Sequence, residues 1–226
     1  MFYKFLIALA TVGVALATVG VDLSQLTSQS SFDCVKNLGY DFAIVRVYCS
    51  PGYVDSNGPT NIARAWASGM AHVDGYIFPC YSCGNPSGQM DTTIEYLSSH
   101  VNIEGLDGFK RTNETVGATV GMLWLDIEGT QYWGSSTSAN TQFIVDMAAR
   151  GKARGVSIGI YSSKSQWNPI TGGTTALSSY PLWYASWDYN YNFNDWSPFG
   201  GWSSPAIKQY AGDQSYCSAG WDKNYY

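Results

Sequence analysis

An apolar run, Val120-Gly121-Met122-Leu123-Trp124-Leu125-Asp126-Ile127-Glu128, ends in two carboxylates with one residue between them. A run of this length and character reads as a strand buried on both faces, as in a parallel sheet. Side chains alternate along a strand, so Asp126 and Glu128 are expected on one side, separated by a rise of roughly 6.5–7 Å. Paired carboxylates at the end of a buried strand suit acid/base chemistry, and in parallel α/β folds that end of the strand is where ligands bind. A plainer alternative is that one acid caps the next helix and the other pairs with an arginine. The rest of the chain has to decide between the two.

Few other chemistries have support. His72 and His100 show no partner spacing. Cys80-Tyr81-Ser82-Cys83 has C-x-x-C spacing. A redox reading lacks a helix start at the motif, and a zinc reading lacks a second ligand pair. No metal site and no cofactor are expected. The five cysteines, Cys34, Cys49, Cys80, Cys83 and Cys217, predict two disulfides and one free thiol in an oxidising compartment. Cys49 and Cys80 each follow a predicted strand and are a candidate pair, although spacing alone does not assign connectivity.

The elements that must position the acids alternate. Gly20-Val21-Asp22-Leu23-Ser24 reads as a short strand interrupted by an acid. Ser31 is placed to cap a short helix that Gly39 ends. Strands are predicted over 42–48, 73–78, 120–128, 156–161, 182–185 and 206–210, and helices over 61–70, 89–103 and 141–154. Strand and helix alternate to about residue 165, and then strands follow with little helix. That order implies a parallel sheet. About eight strands in one chain of 226 residues predict a single α/β barrel, flattened and irregular, with reduced helices in the last third.

The N-terminus has the form of a signal peptide. Lys4 precedes an apolar stretch over 5–16, and Ala15-Leu16-Ala17 fits the small-residue cleavage rule. Residues 1–17 are therefore expected to be removed and 18–226 to form one catalytic domain. The uncharged run over 5–21 is short for a membrane span of about 20 residues, so no stable membrane insertion is expected. Asn113-Glu114-Thr115 is a glycosylation sequon in a polar stretch. A net charge of −5 argues against nucleic acid as a partner, which calls for a basic stripe. Aromatic residues make up 15% of the chain, 17 of them Tyr and 9 Trp, a supply of flat faces with polar tips that suits carbohydrate.

Read together, these stretches resemble glycoside hydrolase family 25, the lysozymes of fungi, actinomycetes, phage and some invertebrates. The resemblance runs from about residue 20 to the end. Gly20-Val21-Asp22-Leu23-Ser24 is similar to the family's G-[IV]-D-[VL]-S, and residues 42–46 fit its second strand. Asp55, Asn61 and Ala67-Ser68-Gly69 sit where the family has D, N and A-x-G. Gly75-Tyr76-Ile77-Phe78 resembles G-x-Y-x-F, and Leu125-Asp126-Ile127-Glu128 resembles L-D-[IVW]-E. Ile160-Tyr161, Leu182-Trp183-Tyr184-Ala185, Gln209-Tyr210 and Trp221-Asp222-Lys223-Asn224 follow in the family's order. There are two departures: Ile77 stands where many members carry His, and the cysteines are more numerous than usual.

The resemblance implies cleavage of the β-1,4 bond between N-acetylmuramic acid and N-acetylglucosamine in bacterial peptidoglycan by a secreted monomer. Glu128 matches the family's catalytic acid, and Asp126, Asp222 and Asp22 its other acids. First and last strands neighbour each other in a closed barrel, so Asp22 and Asp222 can reach one mouth of it together. Four acids there would repel one another and keep Glu128 protonated. Either an Asp attacks the sugar directly or the substrate's own N-acetyl group does, with Asp126 or Asp222 orienting the amide; the second is favoured. Tyr76, Phe78, Tyr161, Trp183 and Tyr210 lie near strand ends as candidates for stacking on sugars. A chitinase of the D-x-D-x-E kind is disfavoured because Trp124 stands in place of the first Asp. A lysozyme-like protein that binds glycan or signals without cutting is the alternative from another class. The acidic charge fits a gut lumen or lysosome-like compartment, for defence against bacteria or their digestion.

Overall fold

The computed structural model describes residues 18–105 and 118–226. The expected leader, residues 1–17, and the sequon residue Asn113 lie outside the described residues. The first half of the chain runs β1 (Val19–Leu23), α1 (Gln29–Asn37), β2 (Phe42–Cys49), β3 (Tyr53–Val54), α2 (Gly58–Ala67), β4 (His72–Ile77), α3 (Pro86–Ser98) and β5 (Asn102–Ile103). The second half runs β6 (Thr119–Val120), β7 (Met122–Asp126), α4 (Thr137–Ala153), β8 (Ser157–Ser162), α5 (Lys164–Thr171), β9 (Leu182–Ala185), β10 (Ile207–Tyr216) and β11 (Ala219–Tyr225).

Eight strands close into a barrel in the order β1-β11-β10-β9-β8-β7-β4-β2, and β2 returns to β1. All neighbours are parallel except β11, which is antiparallel to both β10 and β1. The expected α/β barrel is therefore present, and so is its irregular last third. No helix lies between β9 and β10 or between β10 and β11. β10 turns into β11 through a two-residue hairpin, Cys217-Ser218, in which both residues have positive φ, as a type I′ turn requires.

The alternation of side chains builds two cores. Phe42, Ile44, Trp124, Tyr161, Trp183 and Ile207 fill the barrel's interior. Their neighbours along the strands, such as Ala43, Val45, Leu123, Leu125 and Ile160, point outward against the helices and join the larger core. Each aliphatic or Phe side chain buried this way contributes about 1.5–3 kcal/mol. Serine caps start α1, α4 and α5: Ser28 accepts from the Ser31 N–H, Ser136 from Ala139 and Ser163 from Gln166. The first helix is thus capped by Ser28, one turn before the expected Ser31.

The central run differs from its expected form. It is not one strand over 120–128. Gly121 breaks it, and β6 pairs with β5 in a separate two-stranded sheet. A side chain at Gly121 would meet the His72 ring, and the Met122 N–H donates to the Asp74 carboxylate at 2.8 Å instead of to a strand. The strand proper stops at Asp126, so Glu128 stands just beyond it.

Two disulfides form, Cys34–Cys217 and Cys80–Cys83. The candidate Cys49–Cys80 pair is not made. Cys80 closes back on Cys83 around the short turn Tyr81–Cys83, and Cys49 is a buried free thiol with its Sγ 3.7 Å from Asp55 Oδ2. Cys34–Cys217 joins α1 to the β10–β11 hairpin across 183 residues. In the chain-entropy model a loop of that length is worth about 5 kcal/mol.

Candidate active site

The four acids converge at one mouth of the barrel. Asp22 on β1 and Asp222 on β11 are directly opposite each other in the antiparallel register. Like charges so placed destabilise a sheet, and here one side chain mediates between them. Gln209 on β10 donates from Nε2 to Asp22 Oδ2 at 2.9 Å and to Asp222 Oδ2 at 3.3 Å. Its Oε1 accepts from the Tyr161 hydroxyl and the Trp187 indole, both at 2.8 Å. Asn224, two residues after Asp222 and so on the same face of β11, donates to Asp22 Oδ2 at 2.7 Å. Its own oxygen accepts from the Trp183 indole at 2.7 Å.

Asp126 sits at the end of β7, 6% exposed, and its buried Oδ1 has no hydrogen-bond partner among the described residues. Burial pushes its carboxyl well above the ordinary range; the charges of Glu128 and Asp22 add to this and Arg46 opposes it. Burial also raises Asp22 strongly, with Asp222 next, while the Gln209 and Asn224 hydrogen bonds pull the other way. Glu128 is raised by partial burial and by the charge of Asp222. Asp222 is raised by burial, against a hydrogen bond from the Asp213 N–H at 2.7 Å. Arg46 reaches this cluster from β2, but its guanidinium is committed to Asp55 Oδ2 at 2.8 Å and to the Ser24 carbonyl at 2.8 Å. The site therefore holds more carboxyl groups than it has charge to balance, the condition that keeps a carboxylic acid protonated.

The aromatic candidates separate. Tyr76 on β4 is half-buried and lines a cleft of about 130 Å³ with Asp22, Asp213 and Asp222. Tyr161 and Trp183 lie beneath the acids in the barrel's interior, their rings edge-to-face at 4.5 Å. Trp183 is 2% exposed and has no face free for a sugar; it forms the floor. Phe78 stands at the rim, edge-to-face with Tyr132 at 5.1 Å. Tyr210 is not brought to the acids. Its neighbour Gln209 points inward, so alternation turns Tyr210 outward, where it meets Tyr191. Gln209, Asn224 and Trp187 were not among the expected site residues. The spacing of two from Asp222 to Asn224 was a usable signal for one of them. Nothing in the sequence joins Gln209 to Asp22, 187 residues away.

Two residues of the motifs hold the frame rather than the site. Asp55 anchors Arg46. Asn61 on α2 ties down the loop after β1, donating to the Gln25 carbonyl and accepting from the Thr27 N–H. Among the described residues no group of three or more His, Cys, Asp or Glu side chains is arranged to hold a metal ion.

Comparison with known proteins places the chain in a family and agrees with its fold. The family model described as Lysozyme-like protein 1 matches residues 14–210. "Probable GH family 25 lysozyme 2" of Dictyostelium discoideum is 46% identical over 205 residues, 91% of this chain and 89% of that protein. "Probable GH family 25 lysozyme 4" of the same organism is 42% identical over 226 residues, 100% of this chain and 98% of that one. Among solved structures, a family GH25 lysozyme from Aspergillus fumigatus superposes with a TM-score of 0.72 at 21% identity, covering 93% of each chain. At that identity the likeness establishes the fold.

Proposed function

The chain belongs to the glycoside hydrolase family 25 lysozymes and is a muramidase-type glycoside hydrolase, and from that premise we propose that Glu128 is its general acid/base on bacterial peptidoglycan. The bond cut is the β-1,4 link from N-acetylmuramic acid to N-acetylglucosamine. The observation that carries this reading is the convergence of Glu128 with three buried or half-buried aspartates on one barrel mouth.

Glu128, whose protonated form is favoured by burial and by the charge of Asp222, delivers its proton to the glycosidic oxygen as the bond to the anomeric carbon breaks. The acetamido oxygen of the same sugar attacks that carbon, forming a five-membered oxazolinium ring. The unpartnered Oδ1 of Asp126 supports this route, because it is free to accept the acetamide N–H and so to orient the acetamide for attack. Asp22 and Asp222, cross-linked by Gln209, add negative potential from the opposite side. Glu128, now a carboxylate, takes a proton from water, which opens the ring at the same carbon with net retention.

Secretion after removal of residues 1–17, and a role in killing or digesting bacteria in an acidic lumen, complete the proposal. The test is release of new reducing ends from purified peptidoglycan by the wild-type protein and by Glu128→Gln. Fragments ending in N-acetylmuramic acid from the wild type and none from the variant are expected. Wall binding by both without release would replace hydrolysis with a glycan-binding or signalling role. De-N-acetylated glycan should resist cleavage if the acetamide is the nucleophile.

A further inference from the structure

A groove of about 350 Å³, lined in part by the segment that follows Glu128 and by none of the four acids, is not used by the chemistry above. Its lining includes Ser50, Tyr81, Ser82, Gln131, Tyr132 and Trp133. The volume falls in the range of about 300–1,000 Å³ typical of small-molecule sites. No charged side chain lines it, so it suits a neutral ligand rather than a carboxylate or phosphate. It offers rings together with hydroxyls and a side-chain amide, the combination that a pyranose with an acetamide presents surfaces for.

The groove is built onto the catalytic residue. The Trp133 indole donates to the Glu128 backbone carbonyl at 3.0 Å. The Tyr132 ring lies over Gly129, where φ is +66° and a side chain would come within 2.6 Å of that ring. Tyr132 is 46% exposed, and Phe78 steadies it edge-on. The opposite wall is equally fixed. Tyr81 packs against Trp133 and Phe143 at 5.7 and 5.3 Å. Cys80 and Cys83 close the turn that carries it. The buried side chain of Gln89 bonds the Cys80 N–H, the Cys80 carbonyl and the Gly84 carbonyl.

We propose that this groove is a saccharide subsite that holds a further N-acetylhexosamine of the glycan strand, its ring face on Tyr132, and that the Cys80–Cys83 bridge keeps the Tyr81 wall in place. The inference rests on the glycosidase reading, since it extends the same strand past Glu128. It also explains the C-x-x-C spacing without metal or redox chemistry.

The experiment compares cleavage of two soluble, uncrosslinked glycan strands, one two disaccharides long and one four, by wild type, Tyr132→Ala, Tyr132→Phe and Cys80→Ser/Cys83→Ser. Loss of one aromatic contact of this kind is worth about a three- to tenfold change. Tyr132→Ala should raise KM for the longer strand by that factor with kcat little changed, and the shorter strand should respond less. Tyr132→Phe should behave as wild type, and the double Ser variant should fall between. Equal effects on both strands, or none, would overturn the subsite. Binding of the longer strand, followed by tryptophan fluorescence in Glu128→Gln with and without Tyr132→Ala, tests the groove independently of hydrolysis. Wild-type cleavage with no Tyr132 effect sinks the subsite alone. Tyr132-dependent binding without cleavage sinks the hydrolase reading alone. Thermal melting of each variant separates a lost contact from a lost fold.

Discussion

Glu128 and Asp126 are two residues apart, yet their surroundings differ. Asp126 is enclosed and has an oxygen without a partner among the described residues; Glu128 is half-buried at the open mouth. Asp126→Asn gives a prediction of opposite sign for stability and activity. The folded-state pKa of Asp126 lies above that of the unfolded chain, so between the two values only the folded state keeps the proton. Stability therefore falls as pH rises through that window. Asn cannot ionise, so its melting temperature should exceed that of the wild type near neutral pH and match it in acid, while glycan cleavage is lost. A lower melting temperature at neutral pH would contradict the burial argument. Gln209→Ala should act in the other direction. It strips a donor from Asp22 and Asp222, costing about 1.5–3 kcal/mol for bonds to charged groups, measurable by urea titration at neutral pH.

At the scale of elements, the helix-free arc of the barrel depends on substitutes for packing. The Cys34–Cys217 bridge holds the β10–β11 hairpin to α1 at a turn whose two non-glycine residues, Cys217 itself and Ser218, have positive φ. Cys34→Ser/Cys217→Ser should lower stability by up to about 5 kcal/mol, read as a lower denaturant midpoint. A second device is Lys208 on β10, which is fully buried. Its Nζ bonds Asp188 and Asp195 at 2.8 and 2.6 Å, pinning the loop that carries Trp187. Lys208→Met keeps much of the volume but removes the cation that joins the two aspartates, leaving Asp188 with the Asn190 N–H and Asp195 with the Tyr184 hydroxyl. Limited proteolysis should then cut within 186–196 faster than in the wild type, and KM should rise because Trp187 no longer supports Gln209. β2, β4 and β8 need no such devices, because α2, α3 and α4 cover them.

For the whole molecule, the accumulation of acids at one mouth makes activity a function of pH. Glu128 must carry its proton, and both burial and Asp222 raise its pKa. The alkaline limb of kcat/KM should therefore lie above the ordinary glutamate range of about 4.3. In Asp222→Asn the residual activity should show that limb moved to lower pH, because a charge that favours the protonated form is gone. A limb that stays in place would remove Asp222 from the electrostatics of Glu128. The net charge of −5 opposes approach to an anionic wall, so acid conditions should help binding as well as chemistry.

Much of this was legible in the residues themselves. The apolar runs at 42–48 and 182–185, and the switch from alternating elements to strands alone, determined a barrel irregular in its last third, because alternation and strand length are local properties. The D-x-E spacing and the order of the motifs determined the family and pointed to the four acids as site candidates. Tertiary structure alone decided what those acids touch. Gln209 meets Asp22, and Trp183 is floor rather than platform, because barrel closure brings distant strands together and sets which face of each is inside. The same holds for the cysteines. Cys80 bonds Cys83 and not Cys49 because the chain turns tightly after β4, and disulfide connectivity depends on the distance and direction of side chains in space, which spacing along the chain does not encode.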